Sequence, residues 1–388
     1  MTTASASLAQ DDSRVAQDDD RGSVVREWFT PLAVPATRRI LSVMRLASYS
    51  AIASVALSAT LGAQTPTGTI VSANMTAGTA SVVDIATGEL RATYETGDGP
   101  HEVAISHDGR WAVISVYGSR TSIGHSLLVL DLTGDAAPRS IEMGDLKRPH
   151  GMRFLPGDGK LVVTSEATQR VAVVNFLKGT VDTSVSTGQA GTHMIVVDAA
   201  GKRALTTNVG GRSVSVIDLV RDSLVRTIDA GERIEGVTIN PDATEVWTGA
   251  NEAKVVFVFN PATGERVAKI EGFGMPYRMS ITPDGATAIV SDPGAERVHI
   301  VDAKTHRSRQ TLDMTTLLGL SGDEAAHPSP QGVILSRDGR FAFITLKALG
   351  KVAVINIATG AVVKTLTVGG GSDGVGYSPV AARARTAR

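Results

Sequence analysis

Residues 99–132 read GPHEVAISHDGRWAVISVYGSRTSIGHSLLVLDL and contain one complete structural phrase. A short apolar run meets an Asp-Gly turn. A second apolar run follows, then a polar loop, then a third run that ends in Asp. Turn-bounded runs rich in β-branched residues are the mark of strands. Glycine in the turn supplies the positive φ that a tight reversal needs.

The phrase recurs along the chain. Its turns are HDGR (107–110), GDGK (157–160), AAGK (200–203), PDAT (241–244), PDGA (283–286) and RDGR (337–340). From Gly109 through Gly159, Gly201, Ala243 and Gly285 to Gly339, the steps are 50, 42, 42, 42 and 54 residues. The third strands align as well: SLLVLDL (126–132), RVAVVNF (170–176), SVSVIDL (213–219), KVVFVFN (254–260), RVHIVDA (297–303) and KVAVINI (351–357). A period of 42 residues is that of a four-stranded propeller blade. The ends complete the count. Residues 69–97 supply second, third and fourth strands without a first, and residues 372–380 (SDGVGYSPV) supply a first strand with nothing after it. The expected fold is therefore all-β: a seven-bladed β-propeller of four antiparallel strands per blade. Its C-terminal innermost strand closes the ring by joining the N-terminal strands, which removes exposed sheet edges.

The repeats PDGA, VSVIDL, VAVINIATG and GPHEVAISHDGR resemble those of the YVTN-repeat, surface-layer-like seven-bladed propellers over residues 68–380. The resemblance implies the fold. For function it implies only a class that includes binding modules, cell-surface proteins and enzyme accessory domains. The Pro-His pair followed by an Asp-Gly turn is also similar to lactonase-type propellers.

Composition narrows the partners. A net charge of −1 gives no global pull toward nucleic acid or anionic membrane, so no nucleic-acid partner is expected. The absence of cysteine excludes disulfides, thiolate metal sites and a cysteine nucleophile. There is no Gly-x-Ser-x-Gly elbow, no P-loop and no His-Glu-x-x-His pair, and no catalytic residue is assigned.

Four segments are expected. Residues 1–43, with the acidic run Asp18-Asp19-Asp20, read as disordered or as lying before a true start at Met44. Residues 44–63 read as a signal peptide: Arg45, then the small and apolar run LASYSAIASVALSATLGA. Residues 64–380 form the propeller, and 381–388 a disordered tail. The mature protein is expected to be periplasmic or secreted, with no stable membrane span once the signal is removed.

The longest loops, 118–125, 144–149 and 313–330, all belong to the two loop classes that open on one face, where function usually resides. The first residue of each innermost strand points into the central channel at that face. These positions are His101, His150, His193, Glu235, Tyr277, Gln331 and Asp373, with Glu102 and Arg278 one residue on. The second strands should end around them at Asn74, Tyr117, Glu166, Asn208, Asn251, Asp292 and Lys347. His327, in the longest loop, is a candidate lid, whereas His107, His299 and His306 are expected at the surface or in loops.

Three readings stay open. The first is a polar funnel presented to a small molecule, peptide or protein partner. The second is a divalent-metal site on His101, His150 and His193. The third is a set of strand ends that merely meet water in the channel. Catalytic alternatives on the same face are a lactonase-like hydrolase, with Arg278 holding the acid, or a histidine-ring metalloenzyme.

Overall fold

The computed structural model describes residues 66–322 and 327–383. The expected N-terminal segment 1–43 and signal peptide 44–63 lie outside these residues, as do 384–388. The described chain forms seven four-stranded antiparallel sheets. Blades 1 to 7 are numbered here by their innermost strands: Pro100–Ile105, Pro149–Phe154, Thr192–Val197, Val237–Ile239, Met279–Ile281, Pro330–Leu335 and Ser372–Ser378.

Blade 7 closes the ring as expected. Ser372–Ser378 pairs with Thr69–Asn74, which is followed by Thr79–Asp84 and Leu90–Glu95. The register sets Thr69 opposite Ser378 and Val71 opposite Gly376. The closure extends past residue 380. Thr69 Oγ1 donates to Val380 O at 2.7 Å, Ala382 N donates to Thr69 Oγ1 at 2.7 Å, and Arg383 N donates to Leu132 O at 3.1 Å. Residues 381–383, read from sequence as the start of a disordered tail, are instead held because these bonds satisfy otherwise unpaired backbone groups.

The sequence pattern has a direct physical cause. Middle strands such as Ser213–Asp218 are buried on both faces because a blade stacks on each side of them, while outermost strands such as Ser223–Asp229 are largely exposed. Seven buried clusters fill the seven junctions between blades. One, for example, joins Leu127 and Ile141 of blade 1 to Met152 and Val174 of blade 2. The Asp or Asn that ends every third strand accepts a backbone N–H from the turn after it. These residues are Asp84, Asp131, Asn175, Asp218, Asn260, Asp302 and Asn356. The short side chain lets the turn form without an orphaned donor.

The loop read at 118–125 is largely strand. The second strand of blade 1 runs Trp111–Gly118 and the third Ile123–Asp131, so the insertion lengthens a hairpin. Gly118 at φ +95° makes the corner, and Asp98 accepts from Ser119 Oγ at 3.0 Å and from Ser122 Oγ at 2.5 Å.

Candidate functional site

Two local devices hold the channel-lining residues in place. Second-strand hydroxyls donate to the main-chain oxygen of the lining residue in the next blade. Thr164 reaches His193 O at 2.5 Å, Thr207 reaches Glu235 O at 2.6 Å, Ser291 reaches Gln331 O at 2.5 Å, and Thr345 reaches Asp373 O at 2.9 Å. The second device is glycine directly after a lining residue. A side chain at Gly151, Gly236, Gly332 or Gly374 would run into the carbonyl oxygen of His193, Tyr277, Asp373 or His101, respectively. Close backbone approach at the channel wall is what these glycines permit. The lining positions therefore form one rigid ring.

Within that ring, three imidazoles stack side by side. The His101 and His150 centroids are 4.2 Å apart and those of His150 and His193 are 3.8 Å apart. Tyr117 stands edge-on to the first two, at 5.4 and 5.3 Å. His193 Nδ1 lies 2.9 Å from Glu166 Oε2 and its Nε2 lies 3.3 Å from Glu235 Oε1. Asn251 Nδ2 donates to the other oxygen of Glu235 at 2.5 Å. Arg278, on blade 5, crosses the channel to Glu102 of blade 1, with Nη2 donating to Oε1 at 2.9 Å. Its Nη1 lies 3.5 Å from Glu235, and its guanidinium sits 4.2 Å from the Tyr277 ring centroid. A second pair links Lys347 Nζ to Asp373 Oδ2 at 2.8 Å, with Gln331 Oε1 at 3.3 Å.

Burial is nearly complete. His150 is 0%, Asp373 1%, Arg278 4%, Glu102 and His193 8%, and His101 9% exposed. The sequence reading pictured an open funnel, but the mouth is a closed-in cluster that suits a small guest better than a peptide. Burial works to raise Glu102, yet the Arg278 charge holds it at about 2. Burial also opposes ionisation of Glu235, which the His193 hydrogen bond and Arg278 bring down to about 2. His193 is raised despite its burial, because both flanking carboxylates accept from it. His150 is pushed well below the ordinary range, first by burial and then by repulsion from His193, His101 and Arg278. The stack thus sets an imidazole driven toward its neutral form beside one whose carboxylate partners favour the protonated form.

Among proteins of known function, the chain is 34% identical over 87 residues to the methylamine dehydrogenase heavy chain of Methylobacillus flagellatus. That match spans 22% of each protein. A solved chain of Kuenenia stuttgartiensis hydrazine synthase is similar in fold. Its TM-score is 0.56 at 20% identity, over 73% of this chain and 90% of that one. No protein-family model matches. This chain is a seven-bladed β-propeller, and the likeness to the solved structure is one of fold.

Not every expected residue joins the mouth. His101, Glu102, His150, His193, Glu235, Tyr277, Arg278, Tyr117, Glu166 and Asn251 come together, and Gln331, Lys347 and Asp373 form the second pair. Asp292 turns into its own blade, accepting from Gly274 N and Met275 N at 2.7 Å and facing His299 Nε2 at 3.0 Å. Asn208 donates to Ser213 and Ser215, and Asn74 donates to Thr79 and Ser81. These three residues satisfy strand-end groups, and their polar atoms are spent there. His299 is buried at 3%, a correction to its expected surface place. His327 is exposed and pairs with Glu296 at 3.2 Å; it makes no bond to the channel cluster.

The sequence reading missed the other end of the channel. A cavity of about 530 Å³ there is lined by Val103, Ile105, Phe154, Ile334 and Tyr377, with Arg153 and Arg337 among its walls. The signal was present in the outer halves of the same innermost strands, where Arg153 interrupts an apolar run.

Proposed function

We propose that this chain is an exported binding module whose histidine-lined channel mouth takes one small polar ligand. One observation carries the reading: a concentration of buried polar atoms that lack a hydrogen-bond partner in the protein. They are His101 Nδ1, both ring nitrogens of His150, Asn251 Oδ1, Arg278 Nη1 and Asp373 Oδ1. Each such atom costs about 1–3 kcal/mol when left unpaired. At other lining positions, such as His193 and Gln331, the side-chain polar atoms find partners, so the fold itself does not demand the cost. Export rests on the signal-like run at residues 46–63, and no described helix is long and apolar enough to cross a membrane.

A hydrolase on the same face fits less well. Its base would have to be His150, whose burial makes it a poor proton acceptor, since both nitrogens of His193 are engaged by Glu166 and Glu235, and Glu102 by Arg278.

The test is a thermal-shift panel on purified chain, using divalent cations, small amines and short carboxylates. The chain is compared with a His150→Phe variant that keeps an aromatic ring in the stack. At least one class should raise the melting temperature of the original protein and leave the variant unmoved. A panel that moves neither protein, or both equally, refutes the reading.

A further inference from the structure

We infer that the ligand is a single divalent first-row transition cation, held by His101, His150 and Glu102. The inference rests on the binding reading above and names the chemistry of the same site.

The donor set is the first argument. A nitrogen of His101, a nitrogen of His150 and a carboxylate oxygen of Glu102 all lie within 4.8 Å of one another, and all three residues are buried. Zinc–nitrogen bonds are about 2.0–2.1 Å long, so small turns of these rings would bring the donors onto one ion. His101 Nδ1 and both His150 nitrogens have no hydrogen-bond partner in the protein. A neutral imidazole has one lone pair and one N–H to satisfy. For His150, which is fully buried, the stack around it satisfies neither.

Charge is the second argument. Two carboxylates, Glu102 and Glu235, flank the single guanidinium of Arg278, and His193 sits between Glu235 and a third carboxylate, Glu166. The two carboxylates that flank Arg278 exceed its single positive charge, and a bound cation offsets the excess. Arg278 also fixes the orientation of Glu102 through its 2.9 Å hydrogen bond, as outer partners commonly orient ligating carboxylates.

The ligands also specify the class of metal. Imidazole with carboxylate, in a chain without cysteine, suits zinc, copper, nickel or cobalt and disfavours calcium and magnesium. A second donor group, His150, Glu166 and His193, shares His150 with the first and cannot be filled at the same time. Both nitrogens of His193 are already bonded, which assigns the ion to the His101 side. The sequence reading had placed all three histidines on the metal. In this geometry Glu102 replaces His193, and His193 becomes a neighbour that braces the stack. Three protein ligands leave a position open toward the mouth, the pattern of exchangeable rather than purely structural metal sites.

The experiment uses untagged purified chain stripped with chelator and dialysed. Zinc binding is followed by titration calorimetry, and cobalt(II) binding by its visible d–d absorption. One equivalent should bind. His101→Asn and Glu102→Gln should each weaken zinc beyond the roughly 10–100-fold that follows loss of a mere supporting partner. His107→Gln, at the opposite face, should bind like the original. Circular dichroism and the metal-free melting temperature identify any variant that fails to fold, and two separate ligand variants keep the comparison usable. If zinc and cobalt fail to bind the original chain while another class in the panel binds in a His150-dependent way, the metal inference falls and the binding reading stands. If no class binds, both fall. Zinc bound equally by the original and both ligand variants sinks the assigned site.

Discussion

Arg278→Met tests the electrostatic logic of the mouth most directly. In the intact protein the guanidinium is 4% exposed, 2.9 Å from Glu102 and 3.5 Å from Glu235. Methionine keeps much of the side-chain volume and removes the charge, which leaves the buried Glu102 without its main charge partner and Glu235 with only His193 and Asn251. Breaking a buried ion pair from one side costs about 3–5 kcal/mol. Unfolding entropy near 60 °C is about 2.1 cal/mol/K per residue, so a ring of roughly 310 residues has about 0.65 kcal/mol/K. The melting temperature of metal-free protein should therefore fall by about 5–8 °C, measured by scanning calorimetry at neutral pH. A second substitution discriminates the cause. Glu102→Gln alone should destabilise, because it removes the main partner of Arg278. The same change added to Arg278→Met should recover stability, because it removes an uncompensated charge. An Arg278→Met melting temperature within about 1 °C of the original, or a Glu102→Gln effect of the same sign in both backgrounds, would refute the reasoning.

Three further outcomes can be checked alongside it. Gly374→Ala should destabilise by about 1–3 kcal/mol, because its new methyl overlaps the His101 carbonyl, whereas Gly370→Ala, with nothing within 4 Å, should be nearly silent in the same denaturant titration. Deleting residues 372–388 removes the innermost strand of blade 7 and leaves Thr69–Asn74 as an open edge; loss of a single cooperative transition and concentration-dependent aggregation should follow, and an unchanged transition would contradict the closure. Asp292 is depressed below its ordinary 3.8 despite burial, through His299 and the Gly274 and Met275 amides. Its stabilisation is therefore complete above that value and lost as pH falls toward the folded pKa, so the stability gap between the original and Asp292→Asn should shrink in acid, and a gap that widens would overturn the assignment.

The scaffold was readable because each blade repeats the same local chemistry at the same offset. The terminal Asp or Asn of every third strand, visible as SVSVID or KVAVIN, proved to be a turn acceptor in all seven blades. The lining positions were readable for the same reason, since phase follows from the repeat. Where their side chains point was not. Asn208 and Asn251 differ in phase: Asn208 pairs with Ser213 and bonds to Ser213 and Ser215 of its own blade, whereas in blade 4 Ala250 holds that paired place and Asn251, one residue on, turns to Glu235. One step along a strand turns a side chain to the opposite face, so Asn208 faces its own blade while Asn251, like Glu166 and Lys347 at the same register, faces the channel cluster. Asp292, paired with Arg297, shares the phase of Asn208 and so faces His299 within its own blade. Openness of the mouth was equally hidden, because it depends on a contact between Arg278 and Glu102 that spans 176 residues.

That contact has a consequence for how the channel works. Blades 5 and 1 are not neighbours in the ring, so the Arg278–Glu102 pair spans the pore and does not seal a junction. A solute entering at the histidine side meets this crossbar, together with the Tyr277 ring beneath the guanidinium, before it can reach the cavity around Arg153. Opening the bar means separating a buried ion pair, which costs several kcal/mol; passage through the pore is therefore rare on the scale of thermal motion. The two ends of the channel accordingly behave as separate chambers. What binds among His101, His150 and Glu102 arrives and leaves by the loop-bearing face, where the hairpin around Gly118 leans on Arg148 above Tyr117. The seven positions are equivalent by symmetry, but imidazoles occupy blades 1 to 3 and the guanidinium and its flanking carboxylate come from blades 5 and 4. On the proposed reading a single small ligand would sit off the axis, toward blades 1 and 2, where imidazole nitrogens without hydrogen bonds lie beside a carboxylate oriented by Arg278.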